Sequence, residues 1–256
     1  MTQLSVNINK LATLRNSRGK NNPDIVKGAL DILKFGGQGI TVHPRPDERH
    51  IRRADVYALK ASIGSAELNI EGYPEEAFIK MVEEVVPAQC TLVPDPPEAL
   101  TSNAGWLVGA QKDLLSHVAK RLRAKNVRIS VFIDPRTSTQ ADMELLKSIG
   151  VDRVELFTER YADSFAPEVS ASQRSAIWAE YKESALLARS AGLEINAGHD
   201  LNTENLGQLI EQIPWIAEVS IGHALICDAL YWGLEPTIGR YLDCIKKGTA
   251  AASLRK

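Results

Sequence analysis

The sequence predicts a single-domain (β/α)₈ barrel, the TIM-barrel class of α/β protein, with a short extra helix after the eighth strand. Short apolar segments alternate with amphipathic segments of helical period, and no change of composition marks a linker between them. The length of 256 residues is typical of one such barrel. A doubly wound open sheet is the alternative, but the residues after the first strand lack the glycine-rich turn typical of that fold.

The predicted strands are short apolar runs, several of which contain β-branched residues. The first run alternates strictly between apolar and polar residues, which is the period of a strand. The second ends at His43, because the prolines that follow cannot continue a ladder. The predicted strands cover residues 4–9, 39–43, 67–71, 89–93, 127–133, 153–158, 193–197 and 218–221.

Prolines and glycines mark several predicted helix boundaries. Pro23 and Pro74 stand at helix starts, and Gly36 with Gly37 ends the first helix. The predicted helices cover about residues 23–35, 54–63, 74–86, 111–125, 170–191 and 222–233, with one more before the sixth strand and a last one from residue 236. Residues 14–20 and the segment through Tyr161 are predicted as loops, and the tail at 248–256 is expected to fray.

The charge and cysteine content indicate a cytoplasmic globular protein. The formal net charge is −2, which favours neither a nucleic acid nor a membrane surface as partner. Neither an apolar membrane span nor a signal peptide is recognisable. The three cysteines are odd in number and lack metal-type spacing, so reduced thiols are expected.

Polar side chains recur on one face at the carboxyl ends of the predicted strands. They are Asn7, Asn9, Thr41, His43, Asn69, Glu71, Glu155 and Asn196. Unpaired buried polar groups cost about 1–3 kcal/mol each, so such a cluster implies either a ligand site or a hydrogen-bond network that plugs the barrel. A ligand site at one mouth of the barrel is the preferred interpretation.

The histidines also collect at this mouth. His43, His50, His199 and His223 each follow a predicted strand end, whereas His117 lies within a helix. Acid–base catalysis and metal binding are both open to such a group. No two histidines are spaced as His-x-His or His-x-x-x-His, so acid–base work is favoured and no metal is expected.

Two anion sites are predicted at the same mouth. Gly222 and His223 follow the eighth strand and open a short helix, which is the recurrent phosphate position of barrels. Arg18, Arg45 and His50 could hold a second anion across the mouth. The alternative for the glycines is that they only turn the chain.

Several segments, taken together and in order, resemble pyridoxine 5′-phosphate synthases. They are residues 5–9, 14–19, 39–43, 45, 49–50, 68–71, 196–199 and 221–224, and the resemblance runs from residue 4 to about 245. It implies a homo-octamer of barrels that condenses 1-deoxy-D-xylulose 5-phosphate with 3-amino-2-oxopropyl phosphate. The product is pyridoxine 5′-phosphate, in vitamin B6 biosynthesis, with release of phosphate and water. No redox step occurs, and no cofactor is expected.

The resemblance also implies roles by position. His43 and Glu71 correspond to proton acceptors, His199 to a proton donor and Glu155 to a carboxylate that stabilises the transition state. The implied substrate contacts are Asn7 to the amino ketone phosphate, Arg45, His50 and Thr101 to the deoxyxylulose phosphate, Arg18 to a phosphate, and Gly222 with His223 to the product and phosphate. Repeated proton transfers suit a site with several imidazoles and carboxylates.

The chain departs from the family pattern at several binding positions. Asn9 and Lys10 stand where many members have an Asp-His pair that contacts the sugar phosphate. Asp200 stands where a glycine often contributes to the phosphate contact, and a carboxylate there would repel phosphate unless it turned away. Phe157 and Glu159 replace a common histidine and glycine. All the implied proton-transfer residues are present, so Asn9, Lys10 and Asp200 are retained as substrate-binding candidates.

Two other functions remain open. One is a sugar-phosphate aldolase or epimerase that uses Lys10 as an amine nucleophile, which borohydride trapping would reveal. The other is a non-catalytic protein that binds a phosphorylated ligand without turnover.

Overall fold

The computed structural model, which describes residues 1–95 and 104–254, is a closed barrel of eight parallel strands. Each strand pairs with its neighbours in chain order, and β8 pairs with β1 to close the sheet. The strands are β1 Gln3–Asn7, β2 Gly39–Val42, β3 Glu67–Gly72, β4 Gln89–Leu92, β5 Arg128–Ile133, β6 Arg153–Leu156, β7 Glu194–Gly198 and β8 Ile216–Ile221. The predicted barrel is therefore confirmed.

Helices connect the strands and cover the barrel. They are α1 Asn9–Asn16, α2 Ile25–Lys34, α3 Arg53–Ser62, α4 Glu76–Val85, α5 Lys112–Arg123, α6 Gln140–Ser148, α7 Glu159–Asp163, α8 Ala171–Ser190, α9 Leu206–Gln212, α10 His223–Trp232 and α11 Leu234–Ser253. The extra helix after the eighth strand is confirmed as α10. Within the described residues, no helix combines the length and the apolar character needed to cross a bilayer.

The apolar core lies between the sheet and the helices. In β1, Leu4 and Val6 are fully buried on the helix-facing side, whereas Ser5 and Asn7 alternate with them. Inside the barrel, Ser5 hydrogen-bonds to Thr41 of the adjacent strand β2, at 2.8 Å between hydroxyl oxygens. The alternation therefore directs apolar side chains to the helices and polar ones into the barrel.

Charged side chains close the amino-terminal end of the barrel. The Arg153 guanidinium, on β6, lies 3.1 Å from the Glu218 carboxylate of β8 and also donates to Gln89 and Glu194. Arg128 pairs with Glu67 and also donates to Gln89, so it belongs to the same cluster. Burial and a hydrogen bond with Glu67 raise the pKa of Glu218 well above its ordinary value. This network fixes the end of the barrel that lies away from the predicted site.

The first strand is shorter than predicted. It ends at Asn7, and Asn9 and Lys10 form the first turn of α1, which replaces part of the predicted loop at 14–20. The Asn7 side chain accepts a hydrogen bond from the backbone N–H of Asn9, at 3.1 Å. This local turn competes with the sheet ladder and bends the chain into a helix.

In three further segments the structure is helical where the sequence predicted no helix, because tertiary packing stabilises the helix. The predicted loop through Tyr161 contains α7, because Tyr161 is buried among aromatic rings and its hydroxyl donates to the Asn205 carbonyl. Helix α9, between β7 and β8, was likewise not predicted. The tail expected to fray at 248–256 is helical through Ser253, since α11 packs on α9 with Gly248 against Gly207.

Candidate active site

A cavity of about 120 Å³ lies at the carboxyl ends of the strands. It is lined by Asn7, Asn9, Lys10, His43, Arg45, His50, Glu71, Val93, Phe132, Glu155, His199, Ser220, Gly222 and His223. These residues come from both ends of the chain and meet because the sheet closes on itself. This end of the barrel is where barrel enzymes place their chemistry.

Asn7, His43 and Glu71 form the centre of the cavity. The Asn7 amide donates to Glu71 Oε2 at 3.3 Å, and His43 Nδ1 lies 3.9 Å from the same oxygen. The strands β1, β2 and β3 are adjacent, so the three side chains arrive side by side. An imidazole and a carboxyl at this separation can act on the same bound substrate.

Backbone contacts hold the two histidines of the β2 end in place. The His43 N–H donates to the Asn9 side chain at 3.0 Å, which gives Asn9 a structural role on the cavity wall. The Ile51 N–H donates to His50 Nδ1 at 3.0 Å, so the proton of neutral His50 lies on Nε2. The two rings meet edge to face, with centroids 6.4 Å apart.

Burial keeps both of these imidazoles neutral. The pKa of His43 lies well below its usual value, first because of burial and then because of the neighbouring charges of Arg45 and Arg49 and of other histidines. Burial and the same arginines lower the pKa of His50 to about 4. At neutral pH both rings are therefore uncharged, which is the form required of a proton acceptor at His43. The lone pair of neutral His50 already accepts the Ile51 N–H, so His50 is available to donate through Nε2.

The two carboxyls of the cavity are shifted in the opposite direction. Burial, followed by the charges of Asp95 and Glu218, raises the pKa of Glu71 to about 8. Burial, together with the nearby Glu71, raises the pKa of Glu155 well above its ordinary value. Glu71 therefore holds a proton near neutral pH, and the cavity contains two neutral imidazoles beside two carboxyls of raised pKa.

His199 differs from the other histidines of the cavity. Burial acts to lower its pKa, but a hydrogen bond to Asp200, with the charges of Asp200, Glu155 and Asp95, outweighs burial and raises that pKa. Its Nδ1 lies 2.9 Å from Asp200 Oδ1. The His199 backbone has φ of +31°, a conformation that disfavours a side chain, so the neighbouring structure must hold it there.

The glycines at the ends of β7 and β8 allow close approach of the chain. A Cβ at Gly198 would lie 2.1 Å from the Ser220 carbonyl oxygen, so no other residue fits there without a shift of the strand. A Cβ at Gly222 would lie 3.0 Å from Asn7. Gly222 caps α10, which leaves the first N–H groups of this helix directed to the mouth of the cavity.

The structure brings most of the predicted site residues into this cavity, with a few exceptions. Arg18 is exposed in the turn after α1 and does not line the cavity, since α1 carries it past the rim. Arg15, on the same helix, is buried in a two-pronged contact with Asp55. Asp200 also lies off the cavity wall, beside His199. Thr101 lies outside the described residues.

Other polar residues of the predicted row lie buried inside the barrel and not on the cavity wall. Thr41, Asn69 and Asn196 are fully buried and do not line the cavity. Asn69 donates to Thr41 and accepts from Thr91, so part of the predicted row does form an internal network. The predicted row therefore divides into two groups. Some of its residues line the cavity, and others form a hydrogen-bond network inside the barrel.

Three residues of the cavity wall were not among the candidates predicted from the sequence. Val93, Phe132 and Ser220 follow the inward period of β4, β5 and β8. That period, applied to every strand, would have found them. Within residues 1–95 and 104–254, no group of three or more His, Cys, Asp or Glu side chains is arranged to hold a metal ion.

Residues 4–247 match the model of a family described as pyridoxal phosphate biosynthesis protein PdxJ. A pyridoxine 5′-phosphate synthase of Cytophaga hutchinsonii is 55% identical over 247 residues, which cover 96% of this chain and 100% of that protein. A pyridoxine 5′-phosphate synthase of Porphyromonas gingivalis is 52% identical over 95% of this chain and 98% of its own length. The similarity thus extends over nearly the whole of each protein.

Solved structures that resemble this chain are barrels of low sequence identity. A 3-hexulose-6-phosphate synthase matches with a TM-score of 0.62 at 11% identity, covering 95% of this chain and 100% of its own. A phosphoribosyl anthranilate isomerase of Thermotoga maritima matches with a TM-score of 0.58 at 15% identity, covering 96% and 99%. These similarities support the fold.

Proposed function

The chain belongs to the PdxJ family of pyridoxine 5′-phosphate synthases, and we propose that its cavity closes the pyridine ring from two phosphorylated substrates. The substrates are 1-deoxy-D-xylulose 5-phosphate and 3-amino-2-oxopropyl phosphate, and phosphate and water leave. The observation that carries this proposal is that one cavity brings together neutral imidazoles and carboxyls of raised pKa, with His43 Nδ1 3.9 Å from Glu71 Oε2. A condensation that moves several protons needs acids and bases together.

His43 and Glu71 act as the proton acceptors of the proposed reaction. Neutral His43 can take a proton as soon as substrate binds. Glu71, with its pKa raised to about 8, is a far stronger base once ionised than an ordinary carboxylate. Glu155, a buried carboxyl on the cavity wall whose pKa is raised, stabilises charge that develops on a substrate oxygen by donating a hydrogen bond from its protonated form.

His199 acts as the proton donor, and Asp200 supports it. The Asp200 carboxylate turns toward the imidazole and raises the pKa of that ring, so His199 retains a proton to higher pH. This contact also explains how the chain tolerates a carboxylate where a glycine is common. In this proposal Asp200, a substrate-binding candidate in the sequence, acts as a partner of His199.

Two groups of residues bind the substrate phosphates in this proposal. The N-terminus of α10, at Gly222 and His223, takes one phosphate through backbone N–H groups. Arg45 and His50 take the phosphate of the sugar on the other side of the cavity. The buried guanidinium of Arg45 is well suited to hold a phosphate, because water competes little there.

Lys10 binds the sugar phosphate rather than forming an imine. It lies on the first turn of α1, lines the cavity and is exposed. An exposed, hydrated lysine side chain suits a phosphate contact, whereas lysines that act as nucleophiles are typically desolvated. Lys10→Arg should therefore retain turnover, and borohydride should not trap a substrate on Lys10.

The proposed enzyme works in the cytoplasm as a homo-octamer. All three cysteines are free, as is usual for a reducing compartment. Large apolar side chains are exposed at the end of α10, where Tyr231 is 88% and Leu230 is 71% exposed. Such a patch favours burial against another copy of the chain.

Incubation of the purified protein with both substrates tests the proposed function. Mass spectrometry should detect pyridoxine 5′-phosphate and released phosphate, and omission of either substrate should abolish both. Tight binding of the substrates without turnover would instead favour the non-catalytic binder. A borohydride-stable adduct on Lys10 would favour the aldolase-type alternative.

A further inference from the structure

Asp95 is a buried carboxylate next to the cavity to which neither the sequence analysis nor the proposed mechanism assigns a task. It follows β4, and its side chain is only 1% exposed. Its Oδ2 lies 3.2 Å from Nη2 of Arg45, whose side chain is itself 5% exposed. A buried arginine without such a partner is strongly unfavourable, so this ion pair is part of what allows a guanidinium here.

Asp95 lies behind Arg45 as seen from the substrate cavity. Arg45 lines both the main cavity and a small neighbouring cavity of about 20 Å³. Asp95 lines the small cavity but not the main one. The carboxylate therefore acts through Arg45 and through its charge, without a place on the wall that substrate touches.

The charge of Asp95 also acts on the proton-transfer groups. After burial, it is the largest influence that raises the pKa of Glu71, and it contributes to the raised pKa of His199. The titratable or charged groups that face Glu71 are His43 and Arg45 from the β2 end, Asp95 and Cys90 from β4 and the residues after it, Glu155 from β6 and Glu218 from β8.

We propose that Asp95 is a positioning residue of the synthase reaction, which holds the Arg45 guanidinium toward the cavity and places a negative charge beside the Glu71 carboxyl. This inference rests on the proposed roles of Arg45 in sugar phosphate binding and of Glu71 in proton transfer. One carboxylate then links substrate binding on one side of the cavity to the basicity of the acceptor on the other.

The variant Asp95→Asn separates this role from a merely structural one. Loss of the charge removes an influence that raises the pKa of Glu71 and frees the Arg45 charge to lower it, so both changes act in the same direction. The acid limb of kcat/KM, which reports ionisation of the free enzyme, should move to lower pH by about one unit. The KM for the sugar phosphate should rise about tenfold, because Arg45 is no longer held.

Carbon-13 NMR of the Glu71 carboxyl measures the same effect without substrate. In the wild-type protein this carboxyl should titrate near pH 8, and in Asp95→Asn it should titrate lower. Asp95→Glu, which keeps the charge, should restore the wild-type titration. A wild-type carboxyl that titrates near 4.5 would overturn the proposal even if the asparagine variant failed to fold.

Asp134→Asn is the matched control. Asp134 follows β5 as Asp95 follows β4, is buried at 8% exposed as a whole residue against 4% for Asp95, and pairs with Arg136. Neither Asp134 nor Arg136 lines the cavity, so this variant should keep the wild-type pH profile and KM. Equal shifts in both aspartate variants would show a general loss of structure and would refute a specific role for Asp95.

The failure of this inference can be told apart from that of the proposed function. If Glu71→Gln is inactive while Asp95→Asn keeps the wild-type pH profile and KM, Asp95 has no positioning role but Glu71 keeps its own. If Glu71→Gln turns over normally, the proposed mechanism itself fails, and the inference fails with it.

Discussion

The Glu71 carboxyl shows how single side chains in this cavity obtain their properties. Its neighbours are a neutral imidazole, an asparagine amide and buried carboxyls, and burial dominates its raised pKa. His43, only 3.9 Å away, is shifted in the opposite direction by the same burial. The same buried environment therefore keeps His43 neutral and able to accept a proton, and keeps Glu71 protonated up to about pH 8.

Loss of either proton acceptor should stop turnover without loss of the fold. His43→Ala and Glu71→Gln should each lower kcat by about 10²–10⁴, the usual range for removal of a general base. Steady-state kinetics measure the loss, and thermal unfolding checks that the barrel persists. A variant of either residue that turns over within threefold of wild type would remove that residue from the mechanism.

Asp200→Asn should move the basic limb of the pH profile. The folded pKa of His199 is raised partly by Asp200, so His199 stays protonated to higher pH in the wild type. Without the carboxylate this pKa falls, and a protonated donor is lost at lower pH. The basic limb of kcat/KM should therefore shift to lower pH, and an unchanged limb would contradict the proposed role of His199.

For single residues, the sequence predicted which side chains lie at the mouth of the barrel more reliably than it predicted the contacts that they make. His43, Glu71 and His199 could be placed at the mouth because each follows a strand end. The position of Arg18 outside the cavity wall and the contact of Asp200 with His199 depend on the exact path of α1 and of the β7 end. Asp95 gave no local signal, since its importance arises from a contact with Arg45, 50 positions earlier in the chain.

Among the elements, β8 and α10 carry the most specific functional prediction. The chain turns from strand to helix at Gly222, where a Cβ would lie only 3.0 Å from Asn7. Gly222→Ala should push Asn7 and the start of α10 apart, and should raise the KM for the amino ketone phosphate about tenfold or more. Gly239→Ala, on α11 with open space around it, is the control that should bind substrate normally. Equal KM values for the two variants would exclude the α10 start as a phosphate site.

The elements that the sequence predicted well are those with a strong local pattern. Helix α2 has a capping Asp24 and begins and ends close to its predicted bounds. The first strand was predicted too long, because the periodic pattern of residues 4–9 continues past the point where the Asn7 side chain turns the chain. Helix α7 depends on the burial of Tyr161 between distant segments, which no local pattern reveals.

At the scale of the whole molecule, closure of the sheet creates the site. Asn7 of β1 and Gly222 after β8 are neighbours only because the last strand pairs with the first. The alternation of strand and helix was enough to predict this closure. The number of chains in the assembly could not be predicted in this way, because it depends on the shapes of whole surfaces and not on a local sequence pattern.

Native mass spectrometry tests the proposed assembly. The expected mass is eight times the 28.1 kDa of one chain. Replacement of the exposed Tyr231 and Leu230 by aspartate should dissociate the assembly, since charge in an apolar contact is strongly unfavourable. A monomer in the unmodified protein at micromolar concentration would contradict the octamer.

A crystal structure of the protein with pyridoxine 5′-phosphate tests most directly whether the cavity is the site of ring closure. We expect the pyridine ring within hydrogen-bonding distance of His43 or Glu71, and the phosphate at the N-terminus of α10. Product bound elsewhere, with this cavity unoccupied at saturating concentration, would contradict the mechanism proposed for these residues.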